Sequence, residues 1–228
     1  MNNIMTNQQN PIADGLNNQQ SLITKNYQSM TSYIDNLFSR YARLLVVRID
    51  LSYRKDVDVR FMNEAEIHQK YLQAVEDREH LFRNMRSNRL FNNMVGYIWR
   101  LEYGNEKGFH YHFIFFYDGS AVQQDITISR LIGEYWVNVI TQGRGLYYNC
   151  NAHKEEYKYC GIGMIDWNNS ELITNLKLAA QYLAKPDEYI STFMTDIDIG
   201  RTFGRGTVKE KTETRGKPRN QLYPDMIL

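Results

Sequence analysis

The sequence predicts an α+β fold in which helices pack against an antiparallel sheet. Strand-length runs rich in β-branched and aromatic residues occur at 44–51, 94–101, 109–117 and 161–165. Apolar residues recur at helical spacing at 34–41, 63–85, 128–140 and 170–183. A short polar connection with two glycines joins the second and third strand runs, as is typical of a hairpin, so these two strands should run antiparallel.

Local signals mark where the helices begin and end. Asn63 and Glu66 form a capping-box pattern at the start of the second helix. Gly143 is expected to end the third helix. Ser170 is expected to begin the fourth, and Pro186 to stop it, because the residue before a proline avoids helical geometry.

The composition is that of an ordinary globular protein. The 228 residues are 43% hydrophobic and 23% charged, with a net charge of +1. This net charge gives no overall attraction to nucleic acid, so a basic surface would have to be local. An export signal and a membrane-length apolar run are both absent from the sequence, which favours a cytoplasmic protein without a membrane partner.

The chain divides into three predicted segments. Residues 1–26 contain eleven Asn or Gln and read as a flexible polar leader. Residues 27–200 should form the folded domain. Residues 201–228 carry seven Lys or Arg against three acids and read as a basic C-terminal tail, which either grips phosphates or is simply solvated.

The second and third predicted strands and the two-glycine connection that joins them carry the candidate metal-binding residues. His110 and His112 are two residues apart on a strand, so they point to the same face. If the turn centres near Glu106, Glu102 lies directly opposite His110. Arg100 then lies opposite His112. One carboxylate and two imidazoles would converge and could hold a divalent metal with open coordination positions. A His-x-His pair on a sheet can also be just two half-exposed histidines; the carboxylate in register favours metal binding.

Tyr182 and Lys185 are three residues apart at the end of the fourth helix, where they face the same way. Together with a metal they suggest phosphoryl transfer, in which Tyr182 attacks a phosphate and Lys185 supplies positive charge. Taken alone, the pair reads equally well as the end of an amphipathic helix with a lysine reaching to solvent.

Several motifs resemble those of the HUH endonucleases. Gly108-Phe109-His110-Tyr111-His112 resembles their His-hydrophobic-His motif, and Tyr182-Leu183-Ala184-Lys185 is similar to the Tyr-x-x-Lys motif of their single-tyrosine replication initiators. Residues 45–50 lie where that branch carries its first strand motif. Residues 161–165 and 201–206 further resemble the inovirus gene-II-product-like proteins of filamentous phages and prophages.

This resemblance implies a fold, a metal and a reaction. The fold would be a five-stranded antiparallel sheet with helices on its faces. Mg²⁺ or Mn²⁺ would be held by Glu102, His110 and His112. Tyr182, assisted by Lys185, would form a 5′-phosphotyrosyl bond to nicked single-stranded DNA, and the free 3′-hydroxyl would prime rolling-circle synthesis. Tyr189 is a conceivable second tyrosine.

DNA contacts are expected on basic and aromatic side chains. The candidate DNA-binding residues are Arg48, Arg100, Arg201 and Arg205. The tyrosines that could stack bases, or could equally be half-buried strand residues, are Tyr147, Tyr148, Tyr157 and Tyr159. The partner would be a single-stranded DNA origin. The sequence lacks a Gly-x-x-x-x-Gly-Lys phosphate loop, so a host helicase or a supercoiled substrate would have to separate the strands.

Other functions fit part of the pattern. A relaxase or a single-strand transposase would use the same chemistry. A non-haem iron oxygenase also uses two histidines and a carboxylate, but it would leave Tyr182 and Lys185 without a role. A DNA-binding prophage regulator with a decayed catalytic centre would bind DNA without turnover.

Overall fold

The predicted fold class is confirmed: the protein is an α+β structure with an open antiparallel sheet and helices on both of its faces. The computed structural model describes residues 11–55, 61–104, 106–184, 190 and 201–208, with side chains from residue 21 onward.

Four helices and six strands make up the described chain. The helices are α1 (Pro11–Arg40), α2 (Glu64–Asn84), α3 (Asp125–Tyr135) and α4 (Ser170–Ala184). The strands are β1 (Arg43–Tyr53), β2 (Met94–Gly104), β3 (Gly108–Asp118), β4 (Gly145–Asn149), β5 (Gly163–Asp166) and β6 (Phe203–Arg205). A π-helical turn at Trp136–Ile140 continues α3, and short 3₁₀ turns occur at Arg89–Phe91 and Cys150–Glu156.

The three longest strands form the centre of the sheet. The strand order is β4-β1-β3-β2-β6, and β5 pairs with the other end of β1 on the same edge as β4. All described pairings are antiparallel. The expected capping box is present at the start of α2, where Asn63 and Glu66 bond to each other's backbone N–H groups.

The two faces of the sheet are covered by different helices because strand side chains alternate between faces. On the far face, α2 and α3 pack on one alternating set of residues, which includes Val47, Ile49, Leu101, Phe113 and Phe115. On the near face, α1 and α4 pack on the other set: Leu44, Val46, Ile98, Ile114 and Phe116. Towards the hairpin between β2 and β3 the near face becomes polar.

The N-terminal boundary differs from the prediction of a leader that extends to residue 26. Helix α1 already begins at Pro11, and its buried anchor lies further on, between Met30 and Phe38. Extending an existing helix is far easier than nucleating one, so a polar stretch can continue a helix that is fixed by packing elsewhere. Residues 1–10 lie outside the described residues.

Two strands were also missed. The segment predicted to begin a basic tail at Arg201 instead supplies β6, which pairs with β2 at the sheet edge. The sequence pattern predicts no strand at β4, which pairs with β1. Both strands are short edge strands, which carry too few residues for a clear alternating pattern. Residues 209–228 lie outside the described part of the chain.

Among the described residues, no helix combines the length and the apolar character that crossing a bilayer requires.

Candidate metal centre

The hairpin register agrees with the prediction. Glu102 pairs with His110 and Gly104 with Gly108 across the two strands. Arg100 pairs with His112 in the same ladder. Gly108 has a φ of +64°, a left-handed conformation that favours glycine at the point where the chain re-enters the sheet. The turn therefore fixes which side chains meet on the near face.

Three potential metal ligands converge there. The Oε2 atom of Glu102 lies 3.2 Å from Nε2 of His112 and 3.7 Å from Nε2 of His110. One ligand atom from each of the three residues lies within 4.8 Å of the others. Two donors bound to one ion at about 2.1 Å are separated by roughly 3.0–3.4 Å. The Glu102–His112 separation lies in this range and the others are wider, so the three residues form a candidate site for one divalent ion.

The Nδ1 atom of each imidazole ring lies within hydrogen-bond distance of an oxygen atom. Nδ1 of His110 lies 3.0 Å from the carbonyl oxygen of Gly108, and Nδ1 of His112 lies 2.6 Å from Oδ1 of Asp50. When Nδ1–H of His110 donates to Gly108, the lone pair of its Nε2 is available on the side of Glu102. Nε2 of His112 also faces Glu102, at 3.2 Å, and it can bind a metal once it has lost its proton. Metal-binding histidines commonly have such an outer partner, because it fixes the tautomer and the ring orientation.

Asp50 contacts the candidate centre, although the sequence analysis did not place it there. It pairs with His112 across β1 and β3, so it lies on the same face as the two histidines. The available signal was a charged residue at position 50 in a strand that is otherwise mostly apolar. Its partner could not be identified, because β1 and β3 are distant in sequence and no turn sets their register.

The ionisation of these groups favours positive charge between the carboxylates. Burial opposes charging of His112, but its hydrogen bonds to Asp50 and Glu102 outweigh that effect and raise its pKa to about 9. Burial and the neighbouring charge of His112 lower the pKa of His110, despite the opposing bond to Gly108. Burial opposes ionisation of Asp50 and Glu102, yet the bond from His112 brings both pKa values below their ordinary range. A bound cation would meet the same favourable field.

Arg100 holds the carboxylate of Glu102. Its Nε lies 2.9 Å from Oε1 of Glu102, and its Nη1 donates to the carbonyl oxygen of Leu183 at 3.0 Å. Arg100 is only 3% exposed. This guanidinium is thus buried at the end of α4 and contacts Glu102 and Leu183, and its predicted role in DNA binding stays a prediction.

Tyr182 lies beside the centre. Leu176, Ala180 and Leu183 of α4 are buried, whereas Tyr182 is 50% exposed. Its ring centroid is 6.1 Å from that of His112, in an edge-to-face arrangement. The charge of Glu102 and then burial raise the pKa of Tyr182, against the opposing charges of nearby arginines.

Two other residues with predicted roles in catalysis cannot be located in the structure. Lys185 and Tyr189 both lie outside the described residues. Their predicted roles therefore stay predictions.

The remaining candidate arginines lie in different places. Arg48 is half-buried on the near face, with its guanidinium 5.8 Å from the ring centre of Tyr157. Arg205 is the last residue of the edge strand β6, and its Nε donates to Oγ of Ser29 at 2.9 Å. Arg201 is exposed just before that strand. The structure brings Arg48 towards the centre and keeps the other two at the sheet edge.

The four candidate stacking tyrosines separate into two groups. Tyr148 pairs with Asp50 across β4 and β1, is 44% exposed, and stacks on His153 with ring centroids 4.9 Å apart and planes at 15°. Tyr159 is also exposed. Tyr147 packs against the far-face core, and Tyr157 is half-buried against the near-face core. Only Tyr148 and Tyr159 of this set present a largely open ring.

The fold and the site together define an α+β protein with a candidate two-histidine, one-carboxylate metal centre at the hairpin end of its sheet. The chain matches the YagK/YfjJ C-terminal domain family over residues 5–206, which is most of its length, and it belongs to that family. No curated protein and no solved structure shows a significant match to the chain.

Proposed function

We propose that the protein is a metal-dependent endonuclease that nicks single-stranded DNA at an origin, as the replication initiator of a phage, prophage or plasmid element. One observation carries this proposal: the half-exposed ring of Tyr182 lies 6.1 Å from His112, which is one of three convergent metal ligands. A phosphate held at that centre would lie within reach of a tyrosine nucleophile.

The residues of the centre divide into ligands and supports. Mg²⁺ or Mn²⁺ would be held by Glu102, His110 and His112, and when bound it supplies Lewis-acid stabilisation of charge on the phosphate oxygens. Asp50 and the Gly108 carbonyl orient the two imidazoles. Arg100 holds the carboxylate of Glu102 in place. Since these supports belong to the sheet, the ligands are held by a rigid element.

The proposed step is a transesterification. The Oη atom of Tyr182 attacks the scissile phosphorus, a P–Oη bond forms, and the bond between phosphorus and the 3′-oxygen breaks. The phenol proton passes to solvent, and the departing 3′-oxygen takes up a proton to become a free hydroxyl. Because the charge of Glu102 is the largest cause of the raised pKa of Tyr182, neutralising that charge makes the phenol easier to ionise.

Single-stranded DNA would run along the near face. Arg48 offers a cation beside the centre, and the exposed Tyr148–His153 pair offers a flat surface for a base next to Asp50. Strand separation would fall to a host helicase or to supercoiling.

A cleavage assay tests the proposal. Labelled single-stranded oligonucleotides that tile the element's own origin are incubated with the protein and Mn²⁺ and resolved on a denaturing gel. The wild-type protein should give a protein-linked fragment, and Tyr182→Phe should give none. Tyr135→Phe, which alters a tyrosine on the far face whose hydroxyl bonds to Asn84, should behave like wild type. A linked fragment formed at the wild-type rate by Tyr182→Phe would remove Tyr182 as the nucleophile.

The same assay separates the other functions. A relaxase or transposase would also form the linked fragment, but on sequences other than a replication origin. A non-haem iron oxygenase would bind metal through the same ligands and leave every oligonucleotide intact. A decayed, DNA-binding protein would retain the oligonucleotides on a native gel without cutting them. His110→Ala should abolish cleavage if the metal assignment is right.

A further inference from the structure

A second concave site lies on the far face of the sheet. A cavity of about 480 Å³ opens at the hairpin end, between the first turns of α2, the end of β1 and the β2–β3 hairpin. Binding pockets for small molecules commonly have volumes of about 300–1,000 Å³. The cavity is separate from the candidate metal centre, because its wall residue Phe109 and the ligand His110 are adjacent on β3 and point to opposite faces.

The cavity is lined by positive charge. Five cations contribute to its wall: Arg54, Lys55, Lys70, Lys107 and Arg144. No Asp or Glu lines it among the residues that the structure describes, although the chain as a whole carries a net charge of only +1. Arg144 is paired with Asp77 at 2.9 Å, so its charge is partly neutralised. A concave site with one sign of charge concentrates an anionic ligand.

The rest of the wall is aromatic and amide-bearing. Tyr103 and Phe109 pair across the hairpin with ring centroids 4.7 Å apart, and both line the cavity. Gln69 and Gln73, one helical turn apart on α2, also line the cavity. Amides can donate to and accept from the edge of a nucleobase, and apolar ring atoms can pack against it. The wall thus combines cations for an anionic group with amides and ring atoms that can contact a base.

We propose that this cavity binds a nucleotide unit, with its base against Tyr103 and Phe109 and its phosphate on the lysines at the rim. The nucleotide is either free in solution or part of a DNA strand that passes around the hairpin. This site does not depend on the metal centre. The two adjoin at Gly108, which lines the cavity and whose carbonyl oxygen holds the ring of His110.

Calorimetric titration of the full-length protein tests the proposal. The ligands are dATP, inorganic pyrophosphate and a ten-nucleotide oligo-dT, each with EDTA present so that the metal centre does not contribute. The test variant is Lys55→Glu/Lys107→Glu, which reverses two exposed cations of the rim. The matched control is Lys25→Glu/Arg86→Glu, which reverses two exposed cations on α1 and beyond the end of α2. All four substituted side chains are exposed, so both variants should fold.

The rim variant should bind dATP or the oligonucleotide at least tenfold more weakly than the control variant does. Weaker dATP binding identifies a free nucleotide as the ligand, whereas a loss confined to oligo-dT identifies a DNA strand. The proposal is overturned if neither ligand distinguishes the rim variant from the control. It is also overturned if pyrophosphate binds as tightly as dATP, because the cavity would then recognise an anion without a base.

Discussion

The two halves of the near face use the same strands for different purposes. At the end of the near face where β1 begins, α1 and α4 cover an apolar half of the sheet, which we call the covered half. It includes Val46, Ile98, Ile114 and Phe116, all at most 1% exposed. Towards the hairpin, the half that we call the open half carries Asp50 and the three candidate ligands; Asp50 and Glu102 are partly exposed, whereas His110 and His112 are only 8% and 6% exposed. The alternation of side chains is identical in both halves. The difference lies in what covers them, because a helix over a strand face selects apolar residues and an uncovered end can hold charge.

The end of α4 marks the boundary between these halves. Leu183 is buried in the covered half, and its carbonyl oxygen receives a hydrogen bond from Arg100 of the open half. The neighbouring Tyr182 is half exposed and faces His112. One helix end thus closes the core and delivers the candidate nucleophile. The comparison predicts that substitutions in the covered half change folding, whereas substitutions in the open half change metal binding.

The largest expected effect is in the covered half. Phe116→Ala removes a fully buried ring and leaves a cavity, so the free energy of unfolding should fall by about 3–5 kcal/mol. Urea denaturation measures this change, with Phe116→Leu as a milder control. Mn²⁺ affinity of the folded protein should be unchanged. A loss below about 1 kcal/mol would show that α1 and α4 do not pack tightly on this half.

A smaller effect, on metal affinity, is expected when Asp50 of the open half is changed. Asp50→Asn removes the carboxylate that holds His112, so Mn²⁺ should bind about 10–100-fold more weakly. Titration of the metal-free protein with Mn²⁺ measures the affinity. The matched control is Asp166→Asn, which changes an exposed carboxylate on β5 and should leave the Mn²⁺ affinity unchanged. Equal affinities of Asp50→Asn and wild type would mean that His112 is not a ligand.

The open half should also make metal binding depend on pH. His112 must lose a proton to bind metal, and its pKa is raised to about 9, so Mn²⁺ affinity should rise about tenfold per pH unit between roughly pH 7 and 9. The same shift stabilises the metal-free fold below the ordinary histidine pKa, and this stabilisation is lost as the pH rises towards 9. Titrations at several pH values measure the slope. A flat profile would place the pKa of His112 near its ordinary value.

The smallest effect concerns the surface of the covered half. Lys177 of α4 forms an ion pair with Asp35 of α1 at 2.5 Å, but the aspartate side chain is 55% exposed. Lys177→Ala should lower the free energy of unfolding by about 0.2–1 kcal/mol, and added salt should reduce the difference. Urea denaturation at low and high salt measures both. A loss comparable to that of Phe116→Ala would mean that charge, rather than apolar packing, holds the two helices together.

The sequence predicted those parts of the site that are close in the chain. The glycines around Glu106 set the hairpin, and the hairpin sets the pairing of Glu102 with His110, so a short-range signal was enough. The helical spacing before Pro186 similarly predicted α4. The contact of Asp50 with His112 and that of Arg100 with Leu183 were not predictable in this way, since each joins distant segments.

By itself, the sequence determined the fold class, the hairpin register and the convergence of one carboxylate with two imidazoles. Tertiary structure alone decided that β1 lies beside β3 and that α4 ends over the centre. Those placements give His112 its aspartate, Arg100 its contact with the Leu183 carbonyl oxygen, and the centre its tyrosine. The physical reason is that local periodicity specifies which way a side chain points along its own element. Which distant element it meets is set by how the two apolar faces of the sheet are covered.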